Sequence, residues 1–125
     1  MNTALILTDD EFHNLIDLQG DNISTHTKQL VNEMRYKDGD AVDIASSLQE
    51  KRLAQWDGET LTLEPLLKLI IDEACKAVSL YHPAQGSYAL ECPNMHLLFT
   101  RYAWAKDTWR IAPYKDAAAL FSSME

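Results

Sequence analysis

The stretch from Gly86 to Glu125 limits the fold more than any other part of the chain. Ser87–Cys92, Met95–Ala103 and Thr108–Ala112 alternate in side-chain character with a period of two, the mark of strands that bury one face. Pro93-Asn94 and Lys106-Asp107 separate them, and both pairs are turn formers. The three segments therefore read as an antiparallel meander. Tyr114–Met124 follows as a short amphipathic helix. Period-two alternation puts Tyr88, Leu90, Cys92, Leu97, Phe99, Trp109 and Ile111 on one face of the predicted sheet. The other face carries Thr100, Tyr102 and either Trp104 or Arg110.

Upstream, Thr3–Leu7 is a short apolar run and reads as a buried strand. Thr8 and Glu11 stand three apart at the head of a helical pattern, the spacing of a capping box. Phe12, Leu15 and Ile16 continue that helix, and Gly20 is placed to end it. Asn22–Tyr36 carries a thin apolar stripe (Ile23, Leu30, Val31, Met34) and predicts a second helix. A third, capped by Asp40 or Asp43, takes in Ile44, Leu48 and Leu53. Trp56-Asp-Gly-Glu59 is a turn, and Thr60–Leu63 a brief extended segment. Pro65 suits the first position of the next helix, where a missing N–H costs nothing. Its broad apolar face (Leu66, Leu67, Ile70, Ile71, Ala74, Cys75, Val78) marks the most buried helix, expected to end before His82-Pro83. The whole reads as a single α+β domain spanning residues 1–125: an N-terminal strand plus a C-terminal three-stranded meander, packed against amphipathic helices.

At 125 residues, with 46% apolar content, such a domain buries enough surface to fold without metals or disulfides. Eleven basic against nineteen acidic residues leave a net charge of −8. That balance disfavours nucleic acid and anionic membrane surfaces and suits a partner that is basic or apolar. The longest apolar cluster, around Leu66–Ile71, is too short to span a bilayer, and the N-terminus lacks the pattern of a secretory signal. Cys75 and Cys92 form no CxxC pair and read as buried thiols in a reducing cytoplasm.

The residues offer little chemistry. No two of His13, His26, His82 and His96 are spaced as a helical ligand pair. His13 and Asp17 share a helix face, which reads as a solvated polar pair rather than half of a metal site. No serine sits in a nucleophile elbow, and the isolated glycines form no phosphate loop. No cofactor is expected, and the chain is expected not to be an enzyme. The aromatics are more suggestive. Trp109 is expected in the core. Tyr102 and Trp104 alternate near the end of a strand, and exposed aromatics there mark protein interfaces. Tyr88, Arg101, Tyr102 and Trp104 are the expected partner-binding residues.

From Val42 to Met124 the pattern resembles the EspG-like chaperones of type VII (ESX) secretion. The matching stretches are Ser47–Leu53, Trp56–Glu59, Leu63–Ala74, Thr108–Ile111 and Lys115–Leu120. Leu7–Leu15 also looks like the opening of such a half-domain. Family members have two such halves, whereas this chain has room for one, so the resemblance implies a homodimer. A monomeric mass by light scattering at micromolar concentration would count against that. The resemblance further implies a non-enzymatic cytoplasmic chaperone or adaptor that binds a secreted helical substrate. Acidic type III secretion chaperones share the same gross profile. The competing reading is an immunity protein that neutralises a toxin, where a charge of −8 would speed association with a basic target.

Overall fold

A computed structural model describes residues 4–19, 22–34, 48–56, 59, 61–102 and 107–124. The fold is α+β. Its centre is a five-stranded antiparallel sheet. The strands are β1 (Leu5–Thr8), β4 (Ser79–Tyr81), β5 (Tyr88–Glu91), β6 (His96–Arg101) and β7 (Thr108–Tyr114), in the order β1-β7-β6-β5-β4. β2 (Ala54–Trp56) and β3 (Leu61–Leu63) form a separate hairpin. The helices are α1 (Asp9–Asp17), α2 (Thr25–Glu33), α3 (Pro65–Ala74) and α4 (Ala117–Ser123). Residues 48–50 are also helical.

The main core lies between one sheet face and the helices α1, α2 and α3. Leu5, Leu7, Leu90, Leu97, Phe99, Trp109 and Ile111 supply the sheet side. These include the residues that alternation assigns to one face, and Tyr88 packs against them half-buried. Phe12 of α1 meets Phe99 edge-on, with ring centroids 5.3 Å apart. The opposite face holds a smaller core of Ala89, Leu98, Ala112, Tyr114 and Leu120. Ala89, Leu98 and Ala112 are direct cross-strand neighbours. The two small alanines beside Leu98 let Leu120 of α4 approach the sheet closely.

Local chemistry explains the element ends. The Thr8 side chain accepts from Glu11 N at 3.1 Å, and Glu11 Oε1 accepts from Thr8 N at 2.8 Å, which closes the expected capping box. The helix predicted from Pro65 is shorter than expected: it stops at Ala74, and Ser79–Tyr81 becomes a strand instead. The cause is α2. Thr27 Oγ1 donates to Ala74 O, Ser24 N to Cys75 O (2.9 Å) and Ser24 Oγ to Ala77 O (2.6 Å). These groups satisfy the terminal carbonyls that a longer helix would have used.

The terminal helix starts later than its pattern suggests. β7 runs on to Tyr114, opposite His96, and Asp116 caps α4 by accepting from Ala119 N at 2.8 Å. The Pro113 nitrogen faces the β1 side, beyond the paired residues of that strand, so its missing N–H interrupts no described ladder bond. Gly20 and the capping residues Asp40 and Asp43 lie outside the described residues. Gly86 adopts φ 80° in the turn before β5, a conformation that suits glycine.

Both sheet edges are guarded. The bond from Asp9 N to Asp107 O (2.9 Å) sets the β1–β7 phase, so the backbone groups of Ile6 and Thr8 point outward. Lys51 Nζ donates to Ile6 O at 3.3 Å, and Thr8 N is taken by Glu11. At the other edge β4 is three residues long. Val78 N donates to Glu91 O at 2.7 Å although Ser79 is the residue opposite Glu91. Two residues thus face one, as in a bulge, and short or bulged edges resist pairing with other chains.

Candidate functional site

The four residues expected to meet a partner divide between the two sheet faces. Tyr88 lies on the helix-covered side. Its ring stands edge-on to Trp109 at 5.7 Å and to His82 at 5.0 Å, and its hydroxyl donates to Glu33 O at 3.5 Å. Arg101 is on the same side, exposed, with its guanidinium 4.2 Å from the Trp109 ring centroid. Strand alternation sends the half-buried Tyr102 to the opposite face with Thr100. Trp104 lies outside the described residues. Tyr88 and Arg101 converge on Trp109; Tyr102 does not join them.

Trp109 anchors a buried polar contact. Its indole N–H donates to the Asp9 carboxylate, and both residues are almost fully buried. Burial pushes the Asp9 carboxyl above its ordinary value near 3.8, although the indole hydrogen bond pulls the other way. The folded state therefore holds this proton more tightly than the unfolded chain. The contribution of Asp9 to stability is greatest below pH 3.8 and falls as pH rises through the folded value. Asp9→Asn is expected to gain on the wild type as pH rises through that window, measured by urea unfolding at a series of pH values. A wild-type-minus-variant difference independent of pH would contradict it.

A second region was not apparent from sequence. The helical turn at 48–50 ends in a paired motif: Arg52 N donates to Gln49 O at 3.0 Å and Leu53 N to Leu48 O at 2.8 Å. This is the geometry in which the terminating residue takes a left-handed conformation, usually as glycine. Here that residue is Arg52, at φ 61°. Retaining a β-carbon there costs about 1 kcal/mol. The chain then enters β2, turns into β3 and reaches Glu64, whose carboxylate caps α3 by accepting from Leu66 N (2.9 Å) and Leu67 N (3.1 Å). Between these elements lies a recess of about 600 Å³. Ala54, Leu63 and Pro65 are its apolar lining; Gln49, Arg52, Gln55, Thr62 and Glu64 add polar groups. A smaller recess of about 320 Å³ shares Thr62 and Leu63 and is bounded by Gln19, Lys68 and Asp72.

Two large apolar residues stand exposed near these recesses. Leu69 is 48% exposed, on the α3 face that also carries Pro65 and Asp72. Leu18, next to Gln19, is 67% exposed. The sequence signal for this region was a hairpin turn at Trp56–Glu59 immediately before a proline-started helix. It predicts that a hairpin abuts a helix start, and says nothing of a recess.

Reactive chemistry is sparse among the described residues. Burial pushes the Cys92 thiol up to about 12 and the Cys75 thiol to about 11, so neither is a thiolate near neutral pH. His13 Nε2 stands 3.5 Å from Asp17 Oδ2. Among the described residues no three His, Cys, Asp or Glu side chains group as metal ligands, and no helix is long and apolar enough to cross a membrane. No family model matches the chain, and neither a curated protein nor a solved structure does.

Proposed function

We propose that this chain is a non-enzymatic cytoplasmic adaptor that shields an amphipathic helix of a secreted protein until export, as the EspG-like pattern implies. The recess between the β2–β3 hairpin and the start of α3 carries this reading. Its volume of about 600 Å³ takes several side chains from one face of a helix. Leu63 and Pro65 line it, and the exposed Leu69 extends the apolar surface along α3. Helices docked in grooves use apolar anchors three and four residues apart, which such a surface suits.

The net charge of −8 favours a second reading, an immunity protein bound to a basic toxin. Co-expression with the products of the flanking genes tests both. A secreted helical protein is expected to co-elute, and Thr62→Trp, which fills both recesses from an exposed position, is expected to weaken the complex roughly tenfold or more. Retention of no flanking product, or full binding by the Thr62→Trp variant, would count against the adaptor reading. A complex that abolishes a toxic activity without promoting export would favour immunity.

A further inference from the structure

We infer that Arg52 makes the larger recess a receptor for a carboxylate, presented by an acidic side chain of the docked helix. This rests on the helix-docking reading and names the chemistry that the helix must carry. Arg52 lines the recess, and among the described residues its guanidinium meets no acceptor. The charged residues beside it have partners of their own. Lys51 is held by Glu11 at 2.5 Å, and Glu64 Oε2 accepts both N–H groups that begin α3. Of the two charged residues that line the recess, Glu64 is tied through Oε2 to the start of α3, and Arg52 is the one whose charged group has no partner among the described residues.

The backbone gives a separate reason. Arg52 occupies a left-handed position that glycine fills with less strain. Strain of this kind persists where the side chain has work that glycine cannot do. A guanidinium fits a carboxylate through two parallel hydrogen bonds, better than any neutral group. Thr62 and Gln55 add donors on the same recess, and Ala54, Leu63 and Pro65 face the apolar carbons next to an acidic head group. The recognised segment is thus an amphipathic helix with an acidic residue beside a branched aliphatic one. The rest of its polar surface is free to be basic, as the overall charge of this chain favours.

The probe is 4-methylpentanoate, which joins a carboxylate to a leucine-like body, with 4-methylpentanamide as its neutral counterpart. Both are titrated into the ¹⁵N-labelled full chain. The carboxylate is expected to move the backbone amides of Arg52, Gln55, Thr62 and Leu63 saturably in the millimolar range. The amide is expected to bind roughly tenfold more weakly or not at all. Arg52→Gly is expected to lose the carboxylate response to the same degree while its Tm stays equal or rises, which separates lost recognition from lost folding. Equal responses to acid and amide, an undiminished response in Arg52→Gly, or no response at these amides would each overturn the inference.

The two proposals fail differently. A flanking-gene partner that Thr62→Trp releases but Arg52→Gly binds fully would leave the docking reading intact and remove the role of Arg52. Carboxylate binding that needs Arg52, in a chain that retains no flanking product, would remove the docking reading alone.

Discussion

Replacing Trp109 with alanine is expected to lower the stability of the fold by about 3–5 kcal/mol, the range for deleting a large buried aromatic. Trp109 is 1% exposed and sits on the strand that links the N-terminal strand to the meander. Leu7 pairs with it on one side and Arg101 on the other. The truncation removes the edge contact to Tyr88, the platform under Arg101 and the donor to Asp9 together. Trp109→Phe separates the causes. It keeps most of the packing but takes the indole N–H from a buried carboxylate, and is expected to cost about 1–3 kcal/mol. Urea unfolding reads both as a fall in midpoint at unchanged slope. A loss below about 1 kcal/mol for Trp109→Ala would mean that the core closes around the gap. In that case Trp109 is not what joins β1 to the meander.

The strand alternation was legible because a period of two leaves no ambiguity where one face is buried. Leu90, Leu97, Phe99, Trp109 and Ile111 point inward for that reason, and the Thr8–Glu11 capping box was equally local. What escaped reading depends on contacts far apart in sequence. α3 ends at Ala74 because Ser24 and Thr27, about fifty residues earlier, take its last carbonyls. Nothing between Pro65 and Tyr81 announces that stop. β6 carries the apolar run Leu97-Leu98-Phe99, which hides the fact that Leu98 faces a second small core under α4. The expected partner-binding residues among those described lie on both sheet faces for a related reason. Alternation places Tyr88 on the inward face and Tyr102 on the opposite one, and aromatic character does not change that parity. Arg52 was invisible because a left-handed backbone follows from the way the turn at 48–50 is packed, not from residue type.

The ion pair beside β1 carries the other large effect: Lys51→Met is expected to destabilise the fold by about 2 kcal/mol. Glu11 is fully buried, whereas Lys51 is 32% exposed. Removing the ammonium takes a counter-ion from a carboxylate that cannot reach water. Breaking a fully buried pair costs about 3–5 kcal/mol, and the exposure of Lys51 lowers that figure because solvent already screens its side. Thr8 N still donates to Glu11, which limits the damage further. The substitution also frees Ile6 O on the outer edge of the sheet, so the variant is expected to aggregate more readily on warming. Adding Glu11→Gln tests the cause. The neutral amide can still accept from Thr8 N and no longer needs a counter-ion. The double variant is therefore expected to be more stable than Lys51→Met alone. If it is less stable, the cost of losing Lys51 comes from its contact with β1 and not from the charge on Glu11.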